Sequence, residues 1–247
     1  MHRQRAFTIV ELLIVIVVIA ILAAITITAY NGIQERARMS RASSFAAQLK
    51  RANLNDAVLV TNFDDCSGNT SSSSTGPNPT VSGTLQWSTD TPSGTGCSLQ
   101  FSNSQRLLYD VRLSSTYYLK SLWIKIPSCT GANNLISDGS SDSLVSTAFY
   151  APSPDCFLRS GHNNSWTYVS QNTSIADAKW HHLAVEFTAD AAATTGVMKL
   201  YKDGELVSSN AATPKPDNTA TMPIMIGAHK SGNMLTGIVD DIMIVAR

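Results

Sequence analysis

The sequence predicts an α+β protein in which one long N-terminal transmembrane helix precedes an all-β antiparallel sandwich. The first observation is an apolar run over residues 7–30, in which Glu11 is the single charged residue. A helix of that length spans roughly 36 Å, enough to cross the ~30 Å hydrocarbon core of a bilayer. The second observation is the Ser-, Thr-, Gly- and Asn-rich remainder, where short alternating apolar runs are separated by turn signals.

Composition limits the classes of partner. The formal net charge is +0 and only 15% of the residues are charged, so we predict no nucleic acid as a partner. At 247 residues the chain has room for one or two domains.

The residues around the start of the apolar run carry a specific motif. A short basic leader, residues 1–6, ends at the small-then-aromatic junction Ala6-Phe7, and Thr-Ile-Val-Glu-Leu-Leu follows. This arrangement resembles the N-terminus of type IV prepilins and pseudopilins, whose pattern is a basic leader, a small residue that is usually Gly, and then Phe-Thr-Leu-Ile/Val-Glu-Leu-Leu. The departure from that pattern at the junction is Ala6 in the Gly position.

The resemblance implies a processing and assembly route. It implies cleavage after Ala6 and methylation of the new Phe7 amine by a prepilin peptidase/N-methyltransferase. It also implies polymerisation through the helix, with other pilin subunits and an assembly platform in the inner membrane as partners. Glu11 is expected to neutralise the Phe7 amine of a neighbouring subunit, because a buried charge that loses its partner is strongly destabilising.

Two simpler interpretations of the apolar run fit less well. A secretory signal peptide has a shorter apolar core and a cleavage site after that core. A plain membrane anchor has the length but gives no reason for Glu11, since a charge inside a membrane costs a few kcal/mol at least, about 3 on insertion scales.

The charged residues on either side of the span do not by themselves determine which end of the helix faces the cytoplasm. Arg3 and Arg5 precede the span, whereas Arg36, Arg38 and Arg41 follow it. The prepilin resemblance and the position of the cysteines both place the N-terminus in the cytoplasm. We therefore expect a single-pass membrane protein that is later part of an extracellular pilus.

The expected domains are the leader 1–6, the helix 7–57, with 7–30 crossing the membrane, a connector 58–95 and a head 96–247. An apolar stripe at helical spacing extends the helix beyond the membrane. Its members are Ala42, Phe45, Ala46, Leu49 and Ala52. The connector is predicted as loop because Pro, Gly, Ser and Asn crowd together there, with a short strand possible at 85–87.

All four cysteines, Cys66, Cys97, Cys129 and Cys156, lie beyond the membrane span. An even number on the non-cytoplasmic side favours disulfides over a zinc site, for which no Cys-x-x-Cys or His spacing is present. Three pairings are possible from sequence. We favour Cys66–Cys97 with Cys129–Cys156, because each bond closes a local loop.

The head has a second resemblance, carried by four ordered segments at 179–185, 199–207, 223–227 and 237–242. They read KWHHLAV, KLYKDGELV, PIMIG and GIVDDI. Together they resemble the concanavalin A-like, laminin G-like jelly roll, whose members commonly bind glycans or protein surfaces. The resemblance covers roughly residues 96–247 and predicts an antiparallel jelly-roll head.

The head contains two candidate binding sites. Asp240 and Asp241 are candidate ligands of a structural Ca²⁺, with a hydrogen-bonded turn as the alternative. Trp166 and Tyr168 are candidate stacking residues for a sugar, with packing in the core as the alternative. The pair His181-His182 is expected to be structural, and no other cofactor is expected.

We expect no enzymatic activity. Glycosidases of the common kind need two carboxylates that face one bond, whereas Glu186 and Glu205 are the only glutamates beyond the helix and no Glu-x-Asp-x-Glu strand exists. The sequence thus predicts a type IV pilin-like subunit whose lectin-like head adheres to glycans or surfaces. The alternatives are a pseudopilin of a secretion or DNA-uptake system and a membrane-tethered lectin that does not polymerise.

Overall fold

The computed structural model describes residues 8–138, 147–163, 165–216, 223–229 and 232–247. It divides into two compact units, one ending at Arg41 and the other running from Ala42 to Arg247. The helix α1 (Ile9–Asn53) supplies the described part of the first unit and continues into the second.

Fifteen strands lie within the described residues of the second unit. In chain order they are β1 (Ala57–Thr61), β2 (Thr80–Ser82), β3 (Gln86–Ser88), β4 (Ser98–Ser102), β5 (Arg106–Tyr109), β6 (Tyr117–Lys125), β7 (Ile136–Asp138), β8 (Thr147–Tyr150), β9 (Phe157–His162), β10 (Ser165–Ser174), β11 (Trp180–Thr188), β12 (Thr195–Lys202), β13 (Glu205–Pro214), β14 (Ile224–Ile226) and β15 (Thr236–Ala246).

The strands form an antiparallel jelly-roll-like sandwich, as the sequence predicts. The central sheet has the order β13-β12-β11-β6-β15-β4-β3, and β1 also pairs with β15. Two smaller sheets, β2-β5-β14-β7 and β10-β9-β8, share one apolar core with it. The predicted turn at Asp203-Gly204 joins β12 to β13, with both residues at positive φ.

The central sheet is covered on both faces. Alternate residues of β6 and β11, such as Leu122 and Leu183, point into the sandwich core. The residues between them, such as Leu119 and Ala184, form a second apolar cluster against which Phe45 and Leu49 of α1 pack. The end of α1 therefore acts as an extra layer on the outer face of the sheet.

The predicted domain bounds need correction at two places. The helix ends at Asn53, is followed by a 3₁₀ turn at Leu54–Asp56, and gives way to β1 at Ala57. Residue Ala52, assigned to the apolar stripe, is exposed, and Asn53 is the buried residue of the last turn of the helix. Segment 58–95 is likewise not a loop connector, since β1, β2 and β3 pair within the sheets of the sandwich.

Hydrogen bonds from side chains to the backbone order this segment. The Asp65 carboxylate accepts from the Ser72 N–H at 2.7 Å, and the Asn69 side chain accepts from the Leu85 N–H at 2.7 Å. The Trp87 indole N–H donates to the Gly68 carbonyl at 2.9 Å. Hydrogen bonds of this kind thus fix the backbone conformation of a segment that has few apolar residues and no core of its own.

The disulfides of the structure are Cys66–Cys97 and Cys129–Cys156, the pairing that we favoured. The first joins the segment after β1 to the start of β4, and the second joins the segments before β7 and β9. Both bonds lie within the second unit.

Candidate functional site

The start of α1 is capped by reciprocal hydrogen bonds between Thr8 and Glu11. The Glu11 carboxylate accepts from the Thr8 N–H and the Thr8 hydroxyl, both at 2.8 Å, and the Glu11 N–H donates to the Thr8 hydroxyl oxygen at 3.2 Å. This Thr-x-x-Glu arrangement is a capping box, which satisfies backbone donors that a helix start leaves unpaired. The sequence argument assigned Glu11 a partner in another subunit and missed this local role. Ala6 and Phe7 lie outside the described residues.

The apolar residues that follow Glu11 are exposed. The large side chains between Ile9 and Ile33 keep between 46% and 84% of their surface. Within the described residues α1 is the one helix that is long and apolar enough to cross a membrane. This face is therefore available to lipid or to other helices.

An aromatic patch consists of Tyr150 at the end of β8, Trp166 and Thr167 of β10, and His229 in the segment after β14. The Trp166 ring meets the His229 ring edge to face at 5.0 Å and the Tyr150 ring at 6.0 Å. The Tyr150 and Thr167 hydroxyls are 2.9 Å apart. Trp166 keeps 38% of its surface, so an aromatic face supported by neighbouring rings is open to solvent. Such a face, with hydroxyls beside it, can stack a sugar ring and bind its hydroxyls.

Tyr168 lies outside the aromatic patch. Its ring lies 5.3 Å from His162 and packs partly buried against the sandwich core. The structure thus separates the two predicted stacking residues. Trp166 occupies the surface, whereas Tyr168 takes the packing role that the sequence left open.

Asp240 and Asp241 line an acidic cleft of about 410 Å³ together with Asp64. They sit at an irregularity of β15, where its neighbour changes from β4 to β1 and Asp241 adopts a φ of 44°. Burial, and after it the charge of Asp241, raises the pKa of Asp240 to about 8. Burial also raises the pKa of Asp241, while Lys50 lowers it and Asp64 raises it.

Asp64 is a member of this cleft that the sequence argument missed. Its carboxylate accepts from the Cys97 N–H at 3.1 Å. A Cβ on Gly96 would lie 2.2 Å from one of its oxygens, and Gly96 has a φ of 76°, so glycine is required there. Asp64 and Asp240 are far apart in sequence, and no spacing pattern links them.

The cleft offers three carboxylates but not a closed metal site. Within the described ranges, no three His, Cys, Asp or Glu side chains come together as a metal-binding group. A cation held there would draw further oxygens from carbonyl groups or water, as Ca²⁺ commonly does.

The residues of the Trp-His-His segment make structural contacts. The Trp180 indole donates to Asp90 at 2.8 Å, and the two ring nitrogens of His181 lie 2.7 Å from Asp203 and 3.0 Å from Asp177. His182 is buried. These contacts connect β11 to the segment after β3 and to the turn before β13, and they fit the structural role expected for the segment.

Two family models match the chain. One describes the prokaryotic N-terminal methylation motif and matches residues 1–27. The other describes the concanavalin A-like lectin/glucanases superfamily and matches residues 102–247.

Solved structures with similar folds support the architecture. Domain 4 of AbnA, a GH43 extracellular arabinanase from Geobacillus stearothermophilus solved with arabinotriose, has a TM-score of 0.61 at 18% identity. The match covers 77% of this chain and 92% of that one.

The binding domain of botulinum neurotoxin serotype D/C has a TM-score of 0.54 at 16% identity. That of Paraclostridial Mosquitocidal Protein 1 has a TM-score of 0.52 at 12% identity. Each match covers 78% of this chain and 49% of the toxin chain, so this chain spans about half of either. At these identities the likeness concerns the fold alone.

The raised pKa of Asp240 predicts a pH-dependent stability that Asp240→Asn removes. Between about pH 4 and pH 8 the folded state holds a proton that the unfolded state has lost, so the stability of the wild type falls as pH rises, by up to about 1.4 kcal/mol per unit. The variant lacks this contribution and should gain on the wild type from pH 5 to pH 8. Urea unfolding followed by tryptophan fluorescence measures the difference.

The matched control is Asp110→Asn, because the Asp110 side chain is 82% exposed. It should track the wild type across the same range. The depressed pKa values of His162 and His182, both about 4, affect all three proteins equally and cancel in the comparison. Parallel profiles for Asp240→Asn and wild type would contradict the prediction.

Proposed function

Because this chain belongs to the concanavalin A-like lectin/glucanases superfamily, we propose that its sandwich is a glycan-binding head displayed on a type IV pilus or pilus-like filament. The observation that carries the proposal is the combination of a methylation motif, an exposed apolar helix and a lectin-like sandwich in one chain. In this proposal the helix anchors the subunit in the membrane with its N-terminus in the cytoplasm. Cleavage after Ala6 then allows the helices to pack into a filament core.

A filament multiplies weak binding. Many heads on one fibre engage a surface together, so the avidity exceeds the affinity of a single head without any further contact. An exposed patch built around one tryptophan, as on this sandwich, suits that mode. A pseudopilin would use the same helix in a shorter fibre.

We propose binding rather than catalysis for the head. Glu205 lies beside Lys202, and Lys202 lies beside Leu183, three residues along β11 from Glu186. Two strand spacings and three residue rises separate the Cα atoms of the two glutamates by roughly 14 Å. Paired carboxylates in common glycosidases are about 5–9.5 Å apart.

Substitutions of Glu11 separate charge pairing from helix capping. Gln retains the side-chain oxygen that a capping box needs but removes the charge. If Glu11 neutralises the Phe7 amine of a neighbour, both Glu11→Ala and Glu11→Gln abolish filaments. Mass spectrometry of filaments sheared from wild-type cells should show a peptide that begins at methylated Phe7, with none from either variant.

Filament formation by Glu11→Gln at the wild-type level would show that capping alone is needed. An intact Met1 in a membrane protein without filaments would instead identify a tethered lectin. Glu35→Gln, on the same helix and beyond the apolar stretch, is the control and should assemble normally.

The glycan-binding role predicts that Trp166→Ala weakens retention on a polysaccharide. Removing the stacking face should reduce binding about fivefold or more, since an aromatic contact of about 1 kcal/mol or more is lost at every head. Retention of the purified protein on arabinan, the polymer related to the arabinotriose bound in the AbnA domain, measures this. The control is Leu206→Ala, which removes an apolar side chain that is 53% exposed on β13. Equal retention by both variants and the wild type would refute a role for the patch.

We also propose that the acidic cleft takes up Ca²⁺. The supporting observation is that Asp64, Asp240 and Asp241 line one cleft, because carboxylates that lie close together gain from a shared cation. Ca²⁺ should raise the unfolding midpoint, with the apparent affinity increasing up to about pH 8 as Asp240 loses its proton. Asp240→Asn should lose this response and Asp110→Asn should keep it. A response retained by Asp240→Asn would place the ion elsewhere.

A further inference from the structure

The pairing of β9 with β10 is irregular next to the aromatic patch. Two residue pairs flank the irregularity, Ser165 with His162 and Val169 with Ser160. Between these pairs β9 contributes one residue, Gly161, whereas β10 contributes three, residues 166–168. We call residues 166–168 the β10 bulge. Extra residues of this kind in one strand of an antiparallel pair redirect the side chains of that strand.

The β10 bulge accounts for the separation of the two predicted stacking residues. In a regular strand, residues two positions apart lie on the same face, so Trp166 and Tyr168 would point the same way. Here Trp166 is exposed, whereas Tyr168 packs partly buried against the sandwich core. The bulge therefore releases Trp166 from the alternation of the strand and leaves its ring at the surface, beside Tyr150 and His229.

The backbone of β10 lies directly against Gly161 at this point. A Cβ atom on Gly161 would be 2.2 Å from the Ser165 carbonyl oxygen, 2.5 Å from the Trp166 carbonyl carbon and 2.7 Å from the Thr167 nitrogen. All three are backbone atoms, which cannot rotate away as the end of a long side chain can. Glycine is the residue that allows such a close approach of two backbones. Any other residue at this position would push the β10 bulge away from β9.

From this geometry we infer that Gly161 is a positioning residue for Trp166. The space left by its missing side chain lets the β10 bulge lie on β9, and this places the Trp166 ring 6.0 Å from the Tyr150 ring and 5.0 Å from the His229 ring. Gly161 is itself buried, so it acts through Trp166 and not by touching a ligand. Its effect on glycan binding rests on the function proposed for the aromatic patch, whereas its effect on the position of the Trp166 ring does not.

Gly161→Ala tests the inference, with ¹⁹F NMR of the full chain in detergent, labelled with 5-fluorotryptophan, as the readout. The chain has four tryptophans, and Trp166→Phe assigns the signal of Trp166. The added methyl group should shift this signal, because the ring leaves its aromatic neighbours, and should leave the signals of Trp87, Trp123 and Trp180 unchanged. Retention on arabinan should fall about fivefold or more, as it does for Trp166→Ala.

Two comparisons separate positioning from a general loss of stability. Gly196→Ala is the matched control, because a Cβ atom on Gly196 would lie 2.4 Å from the Thr188 carbonyl oxygen, yet none of the three atoms nearest to it belongs to the aromatic patch. This variant should leave both the Trp166 signal and the retention unchanged. The double variant Gly161→Ala/Trp166→Ala should be retained as well as Trp166→Ala alone, since the effect of Gly161 passes through Trp166.

An unmoved Trp166 signal in Gly161→Ala, movement of all four tryptophan signals, or a further loss of retention in the double variant would overturn the inference. Equal retention of wild type and Trp166→Ala would refute the role of the patch, while the ¹⁹F result would still decide the role of Gly161. Should Gly161→Ala fail to fold, the wild type supplies a second measurement. A nuclear Overhauser effect between the Gly161 Hα protons and the Thr167 N–H is expected, and its absence would contradict the close approach.

Discussion

The central strands β6 and β11 are buried on both faces, and the other elements of the head cover those two faces. One face packs against two smaller sheets, which supply the sandwich core. The other face packs against the last turns of α1, through Phe45 and Leu49. Exposing either face of these strands to water would be unfavourable, because each large apolar side chain left exposed forgoes about 1.5–3 kcal/mol of stabilising free energy. The last turns of α1 are therefore a structural layer of the head.

The parts of the fold that follow a strong period could be predicted from sequence. The apolar run of α1 could be recognised from its length, and the segment 179–185 that contains most of β11 could be recognised from its pattern, whose alternate residues lie in the core. Strands β1 and β2 were missed, because they have only five and three residues, whereas the short strand expected at 85–87 corresponds to β3. The positions of these short strands depend on pairing with distant strands and on hydrogen bonds that the Asp65 and Asn69 side chains accept from the backbone. No local sequence pattern reveals either.

The candidate sites could also be predicted from sequence only in part. Trp166 and Asp240 could be selected by residue type, but their neighbours come from other strands. Tyr150 and His229 join Trp166, and Asp64 joins Asp240, only because the sandwich brings separate segments together.

The Cys66–Cys97 bond has a mechanical consequence. A tensile load applied through the end of α1 reaches the head at β1, which is held in the sheet by its pairing with β15. If β1 were pulled free, the chain could extend only from Ala57 to Cys66, about 30–35 Å for some ten residues. The bond would then transfer the load to the start of β4, because Cys97 directly precedes that strand. The head can thus yield by a limited distance under tension and still remain covalently closed.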